Sequence, residues 1–452
     1  MSRHALADAV SFYDGLLRGE VLQRTHETLL RQCEERRALY KGRPLYRALR
    51  PRFITPEQHA DFQQASAAVS RALDTVYLRA REDESFRREL GVQEWEEFLM
   101  PVDAGTRMSR VSGRLDGFVG PDGVLRFIEY NTDPGGLIYM QDLGEAFAAT
   151  PALEAFSRRY EFSVPPIATP LIETLKAQHA IRNRSGVPQL AFFGPPTPED
   201  SEEEELYRDF IQAHGLPIRI VTSEDAWTHR DGQLYVEDFR VDVVTFIGGA
   251  GFAGLIVGCN SEHPVMQALT EGSAYFMNGL FRNCVMRSKA LFAALSDPAQ
   301  SEMFAPDVRP ALARHIPWTR IVREGKTRYD GREVDLLSFI AEHRERLVLK
   351  PANEFGGTGV TLGWQTDAGT WSTALKTALE APWIVQERVP TPMESYPIYD
   401  GGQIRYEELY ADLNPFVWNG DRQAGLLTRL SRDAIVNVAQ GGCMTPVVVV
   451  RP

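Results

Sequence analysis

The sequence predicts a mixed α/β (α+β) chain with a small parallel α/β unit set inside it and a helical region at its N-terminal end. Three observations carry this. Residues 1 to about 95 mix charged and apolar residues at helical spacing. Arg114 to Leu137 reads as a β-hairpin. From Gln189 onward strands alternate with a helix, the order that builds a parallel sheet.

Within the first region, T-P-E-Q at Thr55 to Gln58 marks a helix start: a capping hydroxyl, a proline in the first turn and a glutamine three residues on. The hairpin follows, with a P-D-G turn at Pro121 to Gly123 and a second strand from Val124 to Asn131. Prolines at Pro151, Pro165, Pro166 and Pro170 flank a connection. Beyond it come a strand at Gln189 to Phe193, a P-P-T-P loop and an acidic helix from Asp200 to His214. Then follow a strand at Ile218 to Thr222, a hairpin around Asp231 and Gly232, and a strand at Val241 to Ile247. The run Ser201 to Leu206, S-E-E-E-E-L, reads as a solvated first helical turn, where the helix dipole favours negative charge.

Composition excludes several classes. With 452 residues, 43% of them hydrophobic and 24% charged, the chain can bury a large core and divides into two or three domains. A net charge of −12 argues against a nucleic-acid binder, because phosphate backbones reward clustered Lys and Arg. Cys33, Cys259, Cys284 and Cys443 are far apart without C-x-x-C spacing, so neither a zinc site nor a disulfide framework is indicated, and a reducing cytoplasm fits. No apolar run approaches the length of a membrane span, and the N-terminus lacks a signal-like apolar core.

Chemistry concentrates in two stretches. Leu347 to Val360 reads L-V-L-K-P-A-N-E-F-G-G-T-G-V: a strand delivers Lys350, a carboxylate follows at Glu354, and Gly356, Gly357 and Gly359 form a turn whose amides can approach an anion. An ammonium suits phosphate oxygens, and a hard carboxylate oxygen suits Mg²⁺. Taken alone, the stretch reads equally as a strand and glycine-rich hairpin with a surface lysine. In the second stretch, strand alternation puts Phe127, Glu129 and Asn131 on one face, an oxygen pair able to hold a magnesium ion that also carries phosphate.

In order along the chain, Arg114 and Asp116 precede Glu129, Asn131, Thr132, Gly135 and Gly136; Lys289 opens an apolar run; K-P-A-N-E-F-G-G supplies Lys350 and Glu354; W-I-V-Q-E-R-V spans Trp383 to Val389; Gly425, Leu427 and Arg429 precede N-V-A-Q-G-G at Asn437 to Gly442. This series resembles the ATP-grasp superfamily, in particular its circularly permuted branch of eukaryotic-type glutathione synthetases and glutathionylspermidine synthetases. The resemblance implies a circularly permuted ATP-grasp fold. It divides the chain into a helical region 1–95, a first core part with the metal-binding strand 96–165, an inserted substrate domain 166–285, and a nucleotide-binding region 286–452.

The resemblance also implies an activity, an ATP-dependent carboxylate–amine ligase working through an acyl phosphate, with ATP and Mg²⁺ as cofactors and a small carboxylate and amine as substrates. Lys289, Lys350, Gly356, Gly357, Thr358, Gln386, Glu387 and Val389 would bind ATP. Glu129, Asn131 and Glu354 would hold metal, with Asp412 a further candidate. Arg114, Lys350 and Arg429 would act in catalysis, Arg114 by stabilising the transferred phosphoryl group. Arg110, Asp116, Thr132 and Asp133 would contact substrate. Cytoplasmic location, a homodimer and no membrane partner complete the expectation. A phosphotransferase and a degenerate nucleotide-binding protein are the alternatives. Where the family ends its central substrate-domain strand with an arginine, V-D-V-V-T-F-I here runs into G-G-A-G-F-A-G. There Gly249, Gly251 and Gly254 match G-x-G-x-x-G, and they are expected to form a loop facing the substrate cleft rather than a dinucleotide site.

Overall fold

The computed structural model describes residues 3–103, 111–182, 184–194, 202–354, 356–420 and 422–451. Two helices, Arg3–Leu16 and Gly19–Glu35, open the chain and lead to a short hairpin of Leu39–Tyr40 with Arg43–Pro44. The capping box at Thr55 is formed: its hydroxyl accepts from the Gln58 amide at 3.1 Å while its own amide donates to Gln58 Oε1 at 3.0 Å. Helix Pro56–Glu82 follows, its Phe62, Val69, Leu73 and Val76 buried in the main core. The helical reading of this region omitted three short strands, of which Arg52–Ile54 pairs with the C-terminal strand Val447–Arg451 and so ties the two ends of the chain together.

Two antiparallel sheets frame the centre. One orders Arg422–Leu427, Asn414–Trp418, Ser112–Val119 and Leu125–Thr132, so that distant stretches share a single sheet. The other orders Thr319–Ile321, Trp383–Glu387, Leu347–Pro351 and Thr361–Leu362. The inserted unit is a parallel sheet ordered Tyr275–Phe276, Val243–Phe246, Leu190–Phe193 and Ile218–Val221. Its central strands are wholly buried, as expected where helices cover both faces.

Three local expectations need correction. Pro151 and Pro170 sit in the first turns of helices Pro151–Ser157 and Thr169–Ile181, where a missing N–H costs nothing, so this stretch is structured rather than a plain connection. Gly248–Gly258 is a helix and not a loop; Gly251 is packed so tightly that an added Cβ would lie 2.7 Å from Phe246 Cβ. Phe127 does not share a face with Glu129 and Asn131. A bulge falls between the pairs Asp116↔Glu129 and Gly117↔Phe127, leaving Ile128 as the extra residue. Phe127 therefore turns into the core beside Leu115 and Leu125, while Ile128, Glu129 and Asn131 face a cavity. Gly117 permits this, since a Cβ there would lie 2.5 Å from the Arg126 carbonyl oxygen.

Candidate active site

The two antiparallel sheets and the first turns of the inserted unit enclose a cavity of about 700 Å³. A more open cleft of about 1250 Å³ lies on the other side of Glu387 and Arg388, but among the described residues it holds no lysine, and of its arginines Arg126 pairs with Asp122, Arg346 with Glu387 and Arg309 with the Phe304 carbonyl. Chemistry, not size, selects the smaller cavity.

Lys350 enters it from strand Leu347–Pro351, whose alternation buries Leu347 and Leu349 in a core on the opposite face. Its Nζ donates to Gln386 Oε1 at 2.7 Å, reaching diagonally from its register partner Ile384. Gln386 Nε2 donates to Thr319 Oγ1 at 3.0 Å, and that hydroxyl donates to the Pro317 carbonyl at 2.9 Å. A lysine can only donate, so this relay fixes the Gln386 amide with its oxygen toward the cation. Burial pulls the Lys350 ammonium down to about 8, with Glu129 opposing the shift and Lys289 adding to it.

Lys289 comes from the turn before helix Leu291–Ser296. Its amide donates to the Ala352 carbonyl at 2.8 Å, its Nζ donates to the Glu354 carbonyl, and the same Nζ lies 3.6 Å from Glu129 Oε2. Asn131 Nδ2 donates to Glu129 Oε1 at 3.4 Å. Two ammonium groups, the Glu129 carboxylate and the side-chain amides of Asn131 and Gln386 thus meet at one end of the cavity, whose wall also includes Glu354.

The glycine loop closes over them. Gly356, Gly357 and Gly359 have φ of 66°, 81° and 72°, a region that strains side-chain-bearing residues. Space forbids side chains as well: a Cβ on Gly357 would lie 2.9 Å from Ile435 Cγ2, and one on Gly359 2.7 Å from Pro351 Cγ. The Gly356 carbonyl accepts from Asn437 Nδ2 at 2.9 Å and from Gln440 Nε2 at 3.3 Å, clasping two glycine-bearing loops together.

Beside them lies a buried four-charge cluster. Arg114 donates to both oxygens of Asp116, at 2.6 and 3.0 Å, and to the Gly135 carbonyl at 2.8 Å. Arg429 donates to Asp116 at 2.9 Å and to Asp412 at 2.6 Å, and its amide also donates to Asp412. Burial works against the Asp116 charge, but Arg114 and Arg429 outweigh it and hold the carboxyl below its usual range. Burial likewise opposes the Arg429 charge, yet Asp412 and Asp116 raise its pKa. Both Asp412 oxygens face Arg429, which makes this carboxylate a partner of the arginine in the structure. Arg114 keeps two of its five N–H groups for the cavity side.

Of the residues singled out in the sequence, Arg114, Asp116, Glu129, Asn131, Lys289 and Lys350 line this cavity, as do Glu354, Gly356, Gly357, Thr358, Gln386, Glu387, Val389 and Arg429. The Glu387 carboxylate is engaged by Tyr329 at 2.7 Å and Arg346 at 3.0 Å. Thr132 and Asp133 are not on its wall. Asp133 sits behind it, buried, accepting from Asn278 at 2.6 Å and Asn283 at 2.9 Å, its carboxyl pushed up to about 7 by burial. That environment suits a structural support better than a substrate contact. Arg110 lies outside the described residues.

Sequence reasoning missed several wall residues. Glu203 was read as part of a solvated turn, yet its carboxylate lines the cavity and accepts the Gly136 amide, and Glu204 is buried. Tyr40 and Leu45, from and just after the N-terminal hairpin, also face it, as does Gly248; of the three glycines expected at the cleft, Gly249 faces it from the start of a helix, and Gly251 and Gly254 are not on its wall. The S-E-E-E-E run was one available signal: four consecutive acids point around most of a helix's circumference, so where one side of the helix packs they cannot all face solvent. The four cysteines are buried and none lines the cavity; burial pushes Cys33 and Cys259 up to about 12 and Cys443 up to about 11, which removes thiol nucleophiles from consideration.

No family model matches the chain, and no curated protein matches it in sequence. Among solved structures, a glutathione synthetase-like effector from Globodera pallida in its apo form superposes with a TM-score of 0.60 at 11% identity, covering 96% of this chain and 99% of that one. A protein provisionally assigned as a gamma-glutamylcysteine synthetase from Methylobacillus flagellatus gives 0.43 at 13% identity, over 84% and 88% of the two chains. D-alanyl-alanine synthetase A of Vibrio cholerae gives 0.26 at 10% identity, over 51% and 68%. The first likeness runs the length of both chains, and the chain has the glutathione synthetase-like, ATP-grasp-type fold that the sequence motifs imply.

Proposed function

We propose that this chain is an ATP-dependent carboxylate–amine ligase that works through an acyl phosphate. The observation that carries the reading is convergence: Lys289, the Glu129 and Asn131 pair, and the Lys350, Glu354 and glycine-loop segment come from three separate stretches and line one cavity. ATP would lie with its base toward the Gln386–Val389 stretch and its phosphates toward the two lysines, whose ammonium groups suit a tri- or diphosphate. Among the described residues no three His, Cys, Asp or Glu side chains gather into a metal site. That donor set fits magnesium arriving with nucleotide, since Mg²⁺ usually takes one or two carboxylates and completes its shell with phosphate oxygens and water. Glu129, Asn131 and Glu354 would hold it, and when bound it supplies neutralisation of phosphate charge.

The reaction then needs only positioning and electrostatics. A carboxylate oxygen of the acid substrate attacks the γ-phosphorus, the bond to the β-phosphate oxygen breaks, and ADP leaves. Lys350 and Lys289 neutralise the oxygens on which charge accumulates. Arg114, held rigid by Asp116 and the Gly135 carbonyl, presents its remaining N–H groups toward the same space. An amine then attacks the acyl carbon and phosphate departs, giving an amide. The clasp between Gly356 and Asn437 keeps water from the acyl phosphate.

The test is incubation with Mg-ATP, a panel of small carboxylic acids and hydroxylamine, followed by quantification of ADP, AMP and hydroxamate. Acid-dependent ADP with equimolar hydroxamate is the expected result. AMP would replace this reading with adenylation, and ADP without hydroxamate would replace it with phosphotransfer.

A further inference from the structure

The lobe of the cavity away from the lysines is built differently. Its charge is Glu203, whose Oε1 accepts the Gly136 amide and whose Oε2 would lie 2.8 Å from a Cβ on Gly135. Glycine at 135 is therefore what lets the carboxylate rest there. Gly136 answers a second approach, since a Cβ on it would lie 2.7 Å from Leu427 Cδ1. Around the carboxylate the wall is apolar or bare: Tyr139, Leu427, Met444, Gly248 and Gly249.

Among the described residues Glu203 takes part in no ion pair. Arg114, the guanidinium felt most by it, spends three of its five N–H groups on Asp116 and Gly135 and on the ligase reading turns the other two to the phosphoryl group, and Arg429 is held by Asp412 and Asp116. Lys289 and Lys350 belong to the opposite end. The lobe thus offers one unpaired negative charge within apolar walls and no cation to spare for a second carboxylate.

Resting on the ligase reading, we propose that the acceptor is an amine with an apolar body and no carboxylate of its own, its ammonium received by Glu203. An amino acid would bring an α-carboxylate into a lobe that cannot pair it, at the cost of burying an uncompensated charge. The proton accounting closes on the same residue. The ammonium passes one proton to the Glu203 carboxylate, the freed nitrogen lone pair attacks the acyl carbon, and the C–N bond forms as the C–O bond to phosphate breaks. Phosphate leaves with that electron pair and takes the second N–H proton. Burial, opposed by the Gly136 amide, brings the Glu203 carboxyl up to about 7, near where a base must sit to accept a proton at neutral pH.

The test is calorimetric titration of the full chain, with and without Mg-AMP-PNP, by phenethylamine, phenylalanine, 3-phenylpropionate and ethanolamine. Phenethylamine should bind at least about tenfold more tightly than each of the others, and Glu203→Gln should weaken it by about tenfold or more while leaving AMP-PNP affinity unchanged. Glutamine keeps an oxygen for the Gly136 amide, so the variant removes charge and not the cap. Phenylalanine binding as tightly as phenethylamine, unchanged amine affinity in Glu203→Gln, or no amine binding by nucleotide-loaded protein would overturn the proposal. Should the variant fail to fold, the ranking of the four probes on the unsubstituted protein decides it. Failure of AMP-PNP to bind would instead sink the ligase reading, and the amine titration without nucleotide still tests Glu203.

Discussion

Asn437 donates from its side-chain amide to the Gly356 carbonyl at 2.9 Å, joining two loops 81 residues apart in sequence over the cavity. Removing that bond tests whether the clasp serves the nucleotide. Asn437→Ala should weaken Mg-ATP binding by about fivefold, the worth of one net hydrogen bond of about 1 kcal/mol. It should also raise ADP released per hydroxamate formed, because a looser cover admits water. The bond is exposed, so the unfolding midpoint should stay where it is.

The Asp412–Arg429–Asp116–Arg114 cluster makes a separate prediction about stability. All four residues are poorly accessible, and Asp412 is 1% exposed. Asp412→Asn leaves a buried guanidinium short of a countercharge and should cost about 3 kcal/mol or more in denaturant unfolding. The exposed pair Lys326–Glu333 provides the contrast: Glu333→Gln should leave the midpoint unmoved.

Much of the site was legible because its signals are local. Lys350, Glu354 and the three glycines fall within one short stretch, and a run of glycines after a strand has few conformational uses. Glu129 and Asn131 were readable from strand alternation, but Phe127 was misplaced because a bulge depends on the partner strand, here on Gly117, and no single-strand pattern reveals it. Glu203 was read as solvated for a related reason: only the parallel sheet, which brings its helix against Gly135 and Gly136, decides which acid of the run turns inward. The helix at Gly248 was hidden by its glycines, which lower helix propensity and carry no amphipathic signal. The pairing of Arg429 with Asp116 spans 313 residues and has no local trace.

Glu129 offers a division between binding and turnover. Glu129→Gln keeps the shape and the contact with Asn131 but loses the charge that faces Lys289. The magnesium concentration for half-maximal ADP release should rise on the order of tenfold or more, while binding of metal-free ATP changes little. An unchanged magnesium requirement would remove Glu129 from the metal shell.

Glu203 also predicts a pH dependence of stability. Its carboxyl is raised from an ordinary value of 4.5 to about 7 by burial, partly offset by the Gly136 amide. The folded state therefore holds the proton more tightly than the unfolded state, so this residue's contribution is complete below about pH 4.5 and is lost as pH rises through about 7. Glu203→Gln has no such titration. The difference in melting temperature, variant minus parent, should climb between pH 4.5 and 7 and level off above; a difference that stays flat or falls across that range would contradict the assignment.

The central claim is that the cavity around Lys350 is a nucleotide site, and equilibrium dialysis of labelled ATP with magnesium against the parent chain and Lys350→Met tests it most directly. The substitution removes a buried ammonium and leaves one acceptor, Gln386 Oε1, unpaired, a loss of about 1–3 kcal/mol that the fold should survive. Saturable binding by the parent, weakened about tenfold or more in a variant whose circular dichroism is unchanged, is the predicted result. Equal ATP binding by both proteins, or none by the parent, would contradict it.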